Sequence, residues 1–366
     1  MRRRCTERLF AGSGRGSDDD GDRAVARAAE VLRAGGLVAF PTETVYGLGA
    51  RADQEQAVRA IFEAKGRPSH NPLIVHAADI DAARPLAGAW SADADALARA
   101  FWPGPLTLIV ARPAASSRSS PSEGEPRGVA ESVTAGGNTL ALRVPAHPVA
   151  RALLRAAGVP VAAPSANRSS RISPTTADHV MKMLDGRIDV CLDGGAAGHG
   201  IESTIVDVTS TPAVLLRAGA IAAEQIAEHV RLVDRSGAVI APGDRPRAPG
   251  GFARHYAPEA RVVIVPPAEV EREALACAAR GERVGALVRG ARPAWTGVLV
   301  EVLAEDPAGY AAQLYAALHR LEDAGCGVIV VASVPEHASW AAVRDRIGRA
   351  SVEAAAPDGD LLGERG

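Results

Sequence analysis

Short apolar segments separated by polar turns divide the first two thirds of the chain into strands and amphipathic helices. Runs such as Leu37–Phe40 and Leu106–Ala111 end at proline, glycine or polar residues and predict buried strands. The segment Arg23–Ala34, closed by Gly35 and Gly36, predicts a helix. Strands and helices mix without a strict βαβ order, so we expect an α/β unit with a twisted mixed sheet and flanking helices.

The pattern becomes regular after residue 260. Apolar strands at 262–265, 284–288, 298–303 and 328–331 alternate with helical segments, and Trp340–Ile347 predicts a closing helix. This alternation predicts a smaller, Rossmann-like parallel α/β domain. No GxGxxG turn follows its strands, so nucleotide binding by this half is not supported.

Composition shifts divide the chain further. Residues 1–21 are rich in Gly, Ser, Arg and Asp and predict a disordered tail, and residues 352–366 a second tail. We expect one folded unit at 22–232, a Pro/Gly-rich linker at 233–259 and the second unit at 260–351. A Ser/Pro/Arg/Glu-rich insertion at 113–131 predicts a mobile surface loop that could act as a lid.

Bulk composition excludes several classes of protein. The chain has 366 residues, 47% hydrophobic, which is enough for two cores. A net charge of −2 and 4% aromatic residues argue against a broad nucleic-acid surface, so any tRNA contact would be local or transient. Four cysteines without a CxxC pair indicate reduced thiols and a cytoplasmic protein. No apolar run reaches the length of a membrane helix, and no apolar signal core follows the basic N-terminus.

The segment PTETVYGLGA carries the strongest chemical signal. It places threonines, a glutamate and a tyrosine on a bend that follows a strand and leads into glycines. Lys65 and Arg67 follow about twenty residues later, and such a pair favours an anionic ligand, most plausibly phosphate. Considered alone, two solvated cations at a helix end would be the commoner explanation.

Two loops and two arginines add to this signal. Ala162–Asn167 offers small residues with Ser and Asn at a strand end, and Asp193–Thr204 is rich in glycine. Each loop could contact a ligand. Otherwise the first would be a turn that satisfies its own hydrogen bonds, and the second a flexible connection. Arg143 within one apolar strand and Arg217 at the end of another favour a buried anion over solvent.

Other catalytic patterns are missing from the sequence. The histidines show no HxH or HxxxH spacing, so we expect no metal held by protein side chains. Neither a GxSxG elbow nor a GxxxxGK[ST] loop occurs, which argues against serine hydrolases and P-loop enzymes.

The order of the motifs is more specific than any one of them. The chain contains PTETVYGLGA, EAKGRPSHNPLIVH, FWPGPLTL, VTAG, LALRVPAHP, VAAPSAN, SPTTADHV, LDGG, GIESTIVD and RHYAP. This series resembles the YrdC-like threonylcarbamoyl-AMP synthase family over residues 22–232. The linker and residues 260–351 resemble the two-domain form of that family.

The resemblance implies an activity. L-threonine, bicarbonate or CO2, and ATP would give L-threonylcarbamoyladenylate and pyrophosphate, with Mg2+ accompanying ATP. A downstream transferase complex would then move the threonylcarbamoyl group to an adenosine beside the tRNA anticodon. YrdC-like domains also carry a concave surface associated with double-stranded RNA binding.

The resemblance also implies roles for individual residues. Lys65 and Arg67 would be catalytic through the phosphates. ATP would be bound by Lys65, Arg67, Asn71, Thr139, Ser165, Asn167, Ser173 and Arg217, with His255 and Tyr256 closing over it from the linker. Threonine would lie near Thr44, His76, Arg143, the Ala163 backbone and Ser203. The linker departs from the family pattern at Gly251, Phe252 and Ala253, within the segment that would close over ATP.

Two other functions compete with the synthase. An RNA-binding module would bind RNA in a salt-sensitive way without releasing pyrophosphate. A carbamoyltransferase using carbamoyl phosphate is suggested by related domains of hydrogenase-maturation proteins, although their zinc-finger and acylphosphatase-like regions do not occur in this sequence.

Overall fold

The computed structural model describes residues 5–11, 18–113, 128–238, 247–249 and 255–352. They form two β-sheets with helices packed on both faces of each. The predicted α/β class, a mixed sheet followed by a smaller parallel one, is confirmed.

The strands and helices follow the apolar segments of the sequence. The strands are β1 (Glu7–Phe10), β2 (Val38–Phe40), β3 (Gly47–Arg51), β4 (Ile74–His76), β5 (Leu106–Ala111), β6 (Thr139–Arg143), β7 (Val161–Ala162), β8 (Val190–Asp193), β9 (Thr204–Asp207), β10 (Ala213–Arg217), β11 (Leu232–Asp234), β12 (Arg261–Val265), β13 (Val284–Arg289), β14 (Val298–Leu303) and β15 (Val328–Ala332). The helices are α1 (Asp18–Arg33), α2 (Glu55–Lys65), α3 (Ile80–Ala83), α4 (Ala92–Phe101), α5 (Pro148–Ala157), α6 (Ala177–Leu184), α7 (Ala223–Ala227), α8 (Val270–Ala279), α9 (Pro307–Asp323) and α10 (Ala341–Ser351).

The large sheet has the order β1-β8-β2-β3-β7-β4-β6-β5-β9-β10-β11, with parallel and antiparallel neighbours. One face packs against α2, α4 and α6 in the largest core, which contains Ile61, Leu97 and Val180. Part of the other face packs against α1 and α5, through residues such as Leu32 and Leu153. The sheet is therefore buried on both faces, which explains why its strands are almost continuously apolar.

The small sheet is parallel throughout, with the order β12-β15-β13-β14. Helix α8 packs on one face through Val270, Ala274 and Cys277. Helices α9 and α10 pack on the other face. That second layer also faces the large domain.

The two domains share a core. Val45, Ile172 and Ile201 of the first domain pack with Tyr315 and other apolar residues of α9 and α10. Arg171 forms an ion pair with Glu322 at 2.7 Å, which ties the first domain to α9. The C-terminal domain is therefore packed against the first domain around the residues described below.

Three predictions made from composition need comment. The prediction of a disordered tail over residues 1–21 is wrong in part. The strand Glu7–Phe10 pairs with β8, and α1 already begins at Asp18. Local composition did not reveal this strand because its partner lies about 180 residues away.

Within the 113–131 insertion, residues 114–127 lie outside the described part, whereas Val129 packs in the main core. The altered linker residues Gly251, Phe252 and Ala253 also lie outside the described part. Among the described residues, no helix is both long enough and apolar enough to cross a membrane.

Removing residues 1–11 should destabilise the first domain. The truncation removes β1, the Arg8–Asp193 ion pair at 2.7 Å and the hydrogen bond from Thr6 Oγ1 to the Ile188 carbonyl at 3.0 Å. It also leaves the edge of β8 unpaired, which promotes aggregation. We expect the melting temperature to fall by roughly 5 °C or more in thermal unfolding. A chain lacking only residues 1–4 is the control, and equal melting temperatures for both truncations would contradict the expectation.

Candidate functional site

A narrow cleft of about 50 Å³ lies at the centre of the large sheet, on the face next to the C-terminal domain. Its wall includes ten of the residues that the sequence predicted for the site: Thr44, Arg67, His76, Arg143, Ala163, Ser165, Ser203, Arg217, His255 and Tyr256. They come from separate parts of the chain and from the linker. The structure therefore brings most of the predicted site together in one place.

Alternation along two neighbouring strands supplies part of the wall. In β4, Ile74 and His76 face the cleft, whereas Val75 belongs to the main core. In β6, Arg143 faces the cleft opposite His76, whereas Leu142 belongs to the main core. Side chains two residues apart share a face of a sheet, so an arginine can lie within an apolar strand without entering the core.

Arg143 is buried and forms an ion pair with a residue of the PTETVYGLGA bend. Its Nη2 donates to Glu43 Oε1 at 2.7 Å, and Glu43 Oε2 accepts from the Ala146 backbone N–H at 3.0 Å. Burial alone would raise the pKa of Glu43, but the charge and hydrogen bond of Arg143 hold it below its usual 4.5. The anion expected beside Arg143 is therefore the protein's own carboxylate, while Arg143 Nε has no partner among the described residues.

His76 lies beside this pair as a neutral base. Burial, together with the charge of Arg143, lowers the pKa of His76 to about 3. Its Nδ1 is buried without a hydrogen-bond partner in the described chain. The cleft thus offers two unsatisfied buried nitrogens side by side, which is costly unless a ligand or water satisfies them.

Lys65 is fully buried at the end of α2, but it does not line the cleft. Its Nζ donates to the Ser165 carbonyl at 2.6 Å and also to the Asn167 carbonyl. Burial lowers the pKa of Lys65 well below its usual range, and the nearby charge of Arg67 lowers it further. Lys65 therefore braces the Ser165–Asn167 loop from behind, so the interpretation of this residue as a solvated helix-end cation is wrong.

Arg67 and Arg217 also face the cleft; Arg217 is buried and Arg67 is half-buried. Arg67 Nη2 donates to the Pro72 carbonyl at 3.0 Å, and Arg217 Nη2 donates to Ser203 Oγ at 3.1 Å. Neither forms a salt bridge with a carboxylate of the described residues. Burial lowers the pKa of Arg67 to about 10, and the charge of Arg217 also lowers it. Two neighbouring cations, one buried and one half-buried, with no carboxylate at salt-bridge distance in the described chain, indicate a site for an anion.

His255 and Tyr256 bring the end of the linker onto the cleft. Burial lowers the pKa of His255 to about 3, so its ring is neutral. Tyr256 has a φ of 60°, uncommon for an aromatic residue, and its hydroxyl is buried without a partner in the described part of the chain. Pro249 lies beside them and accepts from Arg217 Nη1 at 3.3 Å.

The remaining predicted residues lie outside the cleft wall. Asn167 and Ser173 are buried behind it, and Ser173 Oγ donates to Glu202 Oε1 at 2.5 Å. Asn71 is buried beside Arg67, and its Oδ1 has no partner among the described residues. Thr139 begins β6, four residues from Arg143, which corresponds to about 13 Å along a strand. These four are not brought into direct contact with the described cleft.

Sequence reasoning missed three residues of the site. Glu43 and Thr42 stand in the motif that the sequence singled out, but no role was assigned to them. Thr42 Oγ1 donates to the Val45 carbonyl at 2.6 Å and shapes the bend. Glu202 stands in GIESTIVD and lines the cleft. Its carboxylate directly precedes Ser203, a predicted site residue, and this position in the motif could have identified it from the sequence.

The described residues contain no group of three or more His, Cys, Asp or Glu side chains placed to hold a metal ion. In the cleft wall, both oxygens of Glu202 already accept hydrogen bonds, from Ser173, Tyr315 and Arg346. The carboxylate is thus occupied by protein donors.

Comparison with known proteins assigns the family. The Sua5/YciO/YrdC family model, described as telomere recombination, matches residues 30–219. A second model, described as the threonylcarbamoyl-AMP synthase C-terminal domain, matches residues 221–352. The chain belongs to the Sua5/YciO/YrdC family. The resemblance read from the motifs is therefore confirmed.

The similarity to the relatives extends over almost the full length of each of them. Threonylcarbamoyl-AMP synthase of Pyrococcus abyssi is 41% identical, and the alignment covers 88% of this chain and 93% of the relative's length. The protein of that name in Bacillus subtilis is 39% identical, and the alignment covers 90% of this chain and 93% of the relative. A crystal structure of P. abyssi Sua5 complexed with L-threonine superposes with a TM-score of 0.82, at 37% identity over 94% of this chain and 97% of the other. The two-domain architecture is thus shared with a Sua5 protein.

Substituting Glu43→Gln should destabilise the protein in a pH-dependent way. The variant leaves the buried Arg143 without its counter-ion, and we expect a loss of roughly 1–3 kcal/mol in the free energy of unfolding at pH 7. Because the folded-state pKa of Glu43 is lowered, its stabilisation is present above about pH 4.5 and is lost as the pH falls further.

Urea unfolding at pH 7 and pH 4 measures this effect. The difference between wild type and Glu43→Gln should be larger at pH 7 than at pH 4. Glu30→Gln, which changes an exposed carboxylate, is the control. A difference that is constant across the two pH values would contradict the assignment.

Proposed function

We propose that this cleft synthesises L-threonylcarbamoyladenylate from L-threonine, bicarbonate or CO2, and ATP, with release of pyrophosphate. The observation that carries the proposal is the pair of neighbouring arginines, Arg67 and Arg217, which face the cleft without a carboxylate at salt-bridge distance among the described residues. The relatives named threonylcarbamoyl-AMP synthase and the Sua5 complex with L-threonine support the choice of substrates. The enzyme is then a nucleotidyltransferase.

Two regions of the cleft suit the two substrates. Arg67 and Arg217, with Ser165 and the linker residues His255 and Tyr256, face the ATP phosphates. Arg143, His76 and Ser203 face threonine, with Thr44 and the Ala163 backbone beside them. Arg143 Nη2 is held by Glu43, and Nε is one of the donors that this guanidinium retains for the threonine carboxylate.

The reaction forms an N–C bond and an O–P bond and breaks an N–H bond and a P–O bond, and bicarbonate, where it is the source of carbon, first loses water to give CO2. The threonine amine forms an N–C bond with CO2 and loses a proton, which gives a carbamate. A carbamate oxygen attacks the α-phosphorus of ATP, and the bond from that phosphorus to the bridging oxygen breaks, so pyrophosphate leaves with the electron pair. The protein's contribution is to hold two anions together and to offset the charge on the leaving group.

Mg2+ fits this proposal as part of the substrate. The described cleft offers no free carboxylate to the ion, since Glu202 is occupied by three donors. Mg2+ therefore enters on the phosphate oxygens of ATP, which is its usual manner of binding in such enzymes.

The proposed product is unstable in water and must be consumed by a following reaction. A mixed carbamate–phosphate anhydride hydrolyses readily, so a transferase complex that accepts it must act next, on the adenosine beside the tRNA anticodon. Contact with tRNA is local or transient, and we place the reaction in the cytoplasm. No specific observation favours the RNA-binding or carbamoyltransferase alternatives.

The direct test is pyrophosphate release from ATP and Mg2+, with and without L-threonine and bicarbonate. Release that depends on both is expected. Release without threonine would indicate an ATPase or another acceptor. Salt-sensitive RNA binding without pyrophosphate release would favour the RNA-binding module instead.

Arg67→Met should abolish turnover without harming the fold. Loss of a phosphate-facing cation should lower kcat/KM for ATP by about a hundredfold or more. The melting temperature should change little, because Arg67 is half-buried, has no carboxylate partner among the described residues, and the Pro72 carbonyl that it bonds can be solvated in its place. Arg59→Met, on the exposed side of α2, is the matched control. Unchanged turnover in Arg67→Met would remove this residue from the phosphate site.

Lys65→Met should differ from Arg67→Met. The variant removes the donor that holds the carbonyls of Ser165 and Asn167, so their loop loses its brace. We expect both the melting temperature and the turnover to fall, as buried carbonyls are left unsatisfied at roughly 1–3 kcal/mol each. Thermal unfolding and pyrophosphate release, measured side by side, test this, and full stability with lost turnover would instead assign Lys65 to the phosphates directly.

A further inference from the structure

The C-terminal domain reaches the cleft through Glu202. This glutamate lines the cleft and is 7% exposed. Its Oε2 accepts from Arg346 Nε at 2.9 Å and from the Tyr315 hydroxyl at 3.0 Å. Both donors belong to the C-terminal domain, on α10 and α9. One carboxylate of the cleft is therefore held mainly by the other domain.

Arg346 also supports the linker residue that covers the cleft. Its guanidinium carbon lies 5.1 Å from the centre of the Tyr256 ring, and that ring stacks on Tyr315 at 5.9 Å. Its Nη1 donates to Asp345 at 2.8 Å, and the side chain is completely buried. A cation over an aromatic face in a buried place fixes the ring as well as the carboxylate.

Charge gives this contact a consequence for ligands. Arg217 is a second cation close enough to Glu202 for its charge to lower the pKa of that carboxyl, although burial opposes the effect. Without Arg346, Glu202 would be an uncompensated anion inside an anion site. It would repel a phosphate and compete with it for the guanidinium of Arg217.

We propose that Arg346 is a positioning residue for the ATP half of the cleft, which acts by neutralising Glu202 and by supporting Tyr256. The inference rests on the proposed function for the identity of its anion. It gives the C-terminal domain a role in the site: it supplies the countercharge that leaves Arg217, beside Arg67, available to the triphosphate. Threonine, beside Arg143 and Glu43, is bound independently of Arg346.

A double-mutant cycle tests the proposal in the full-length chain. The affinity for Mg2+ and a non-hydrolysable ATP analogue is measured by titration calorimetry for wild type, Arg346→Met, Glu202→Gln and the double variant. Arg346→Met should weaken binding by roughly tenfold to a hundredfold. In the Glu202→Gln background the same substitution should change affinity by less than about threefold, because the charge to be neutralised is gone.

Threonine binding and the control variant separate positioning from general damage. The affinity for L-threonine should stay within about twofold of wild type in Arg346→Met. Arg344→Met changes a neighbouring arginine of α10 that bonds to the carbonyls of Pro335 and His337, and it should leave both affinities unchanged. If Arg346→Met does not fold, Tyr315→Phe, which removes one hydrogen bond to Glu202, takes its place in the cycle with a smaller effect.

Each outcome decides the matter. Equal losses of ATP-analogue affinity in both backgrounds, no loss in either, or equal losses for ATP analogue and threonine would overturn the role of Arg346. Wild type that does not bind the ATP analogue would overturn both this inference and the proposed function. Wild type that binds it but lacks threonine-dependent pyrophosphate release would overturn the proposed function alone, and the cycle would still decide the inference.

Discussion

Buried positive charge that needs a counter-ion organises this molecule. Arg143 obtains its counter-ion from Glu43, and Arg346 obtains its own from Glu202 and Asp345. Arg67 and Arg217 have no carboxylate at salt-bridge distance in the described chain, and they face the same cleft. An uncompensated charge is costly where it is buried, as in Arg217, and an anionic ligand in the cleft would offset that cost.

The sheet makes this arrangement possible. Its central strands β4 and β7 are short, and the helix layer of α1 and α5 covers only part of that face. The gap is filled by the C-terminal domain and the end of the linker. Side chains at the ends and in the pleats of several strands can therefore meet at one place without entering the core.

The domain interface and the cleft are parts of one network. Tyr256, Tyr315 and Arg346 pack together, and Glu202 joins them to the wall of the cleft. The stacked rings of His179 and His319, with centroids 3.8 Å apart, lie at the same interface, and burial lowers both their pKa values, to about 4 and about 3. Neutral, stacked imidazoles suit a dry interface, where charge would be costly.

The two α/β units, the family and ten residues of the cleft could be predicted from the sequence, because apolar periodicity and motifs are local properties of the chain. It could not reveal β1, whose pairing with β8 joins distant residues, nor that Lys65 turns toward the loop carbonyls. It gave no signal for Arg346, since an arginine in an amphipathic helix resembles any exposed cation. Which charges meet became clear from the folded chain alone, because burial and ion pairing depend on contacts between residues far apart in the sequence.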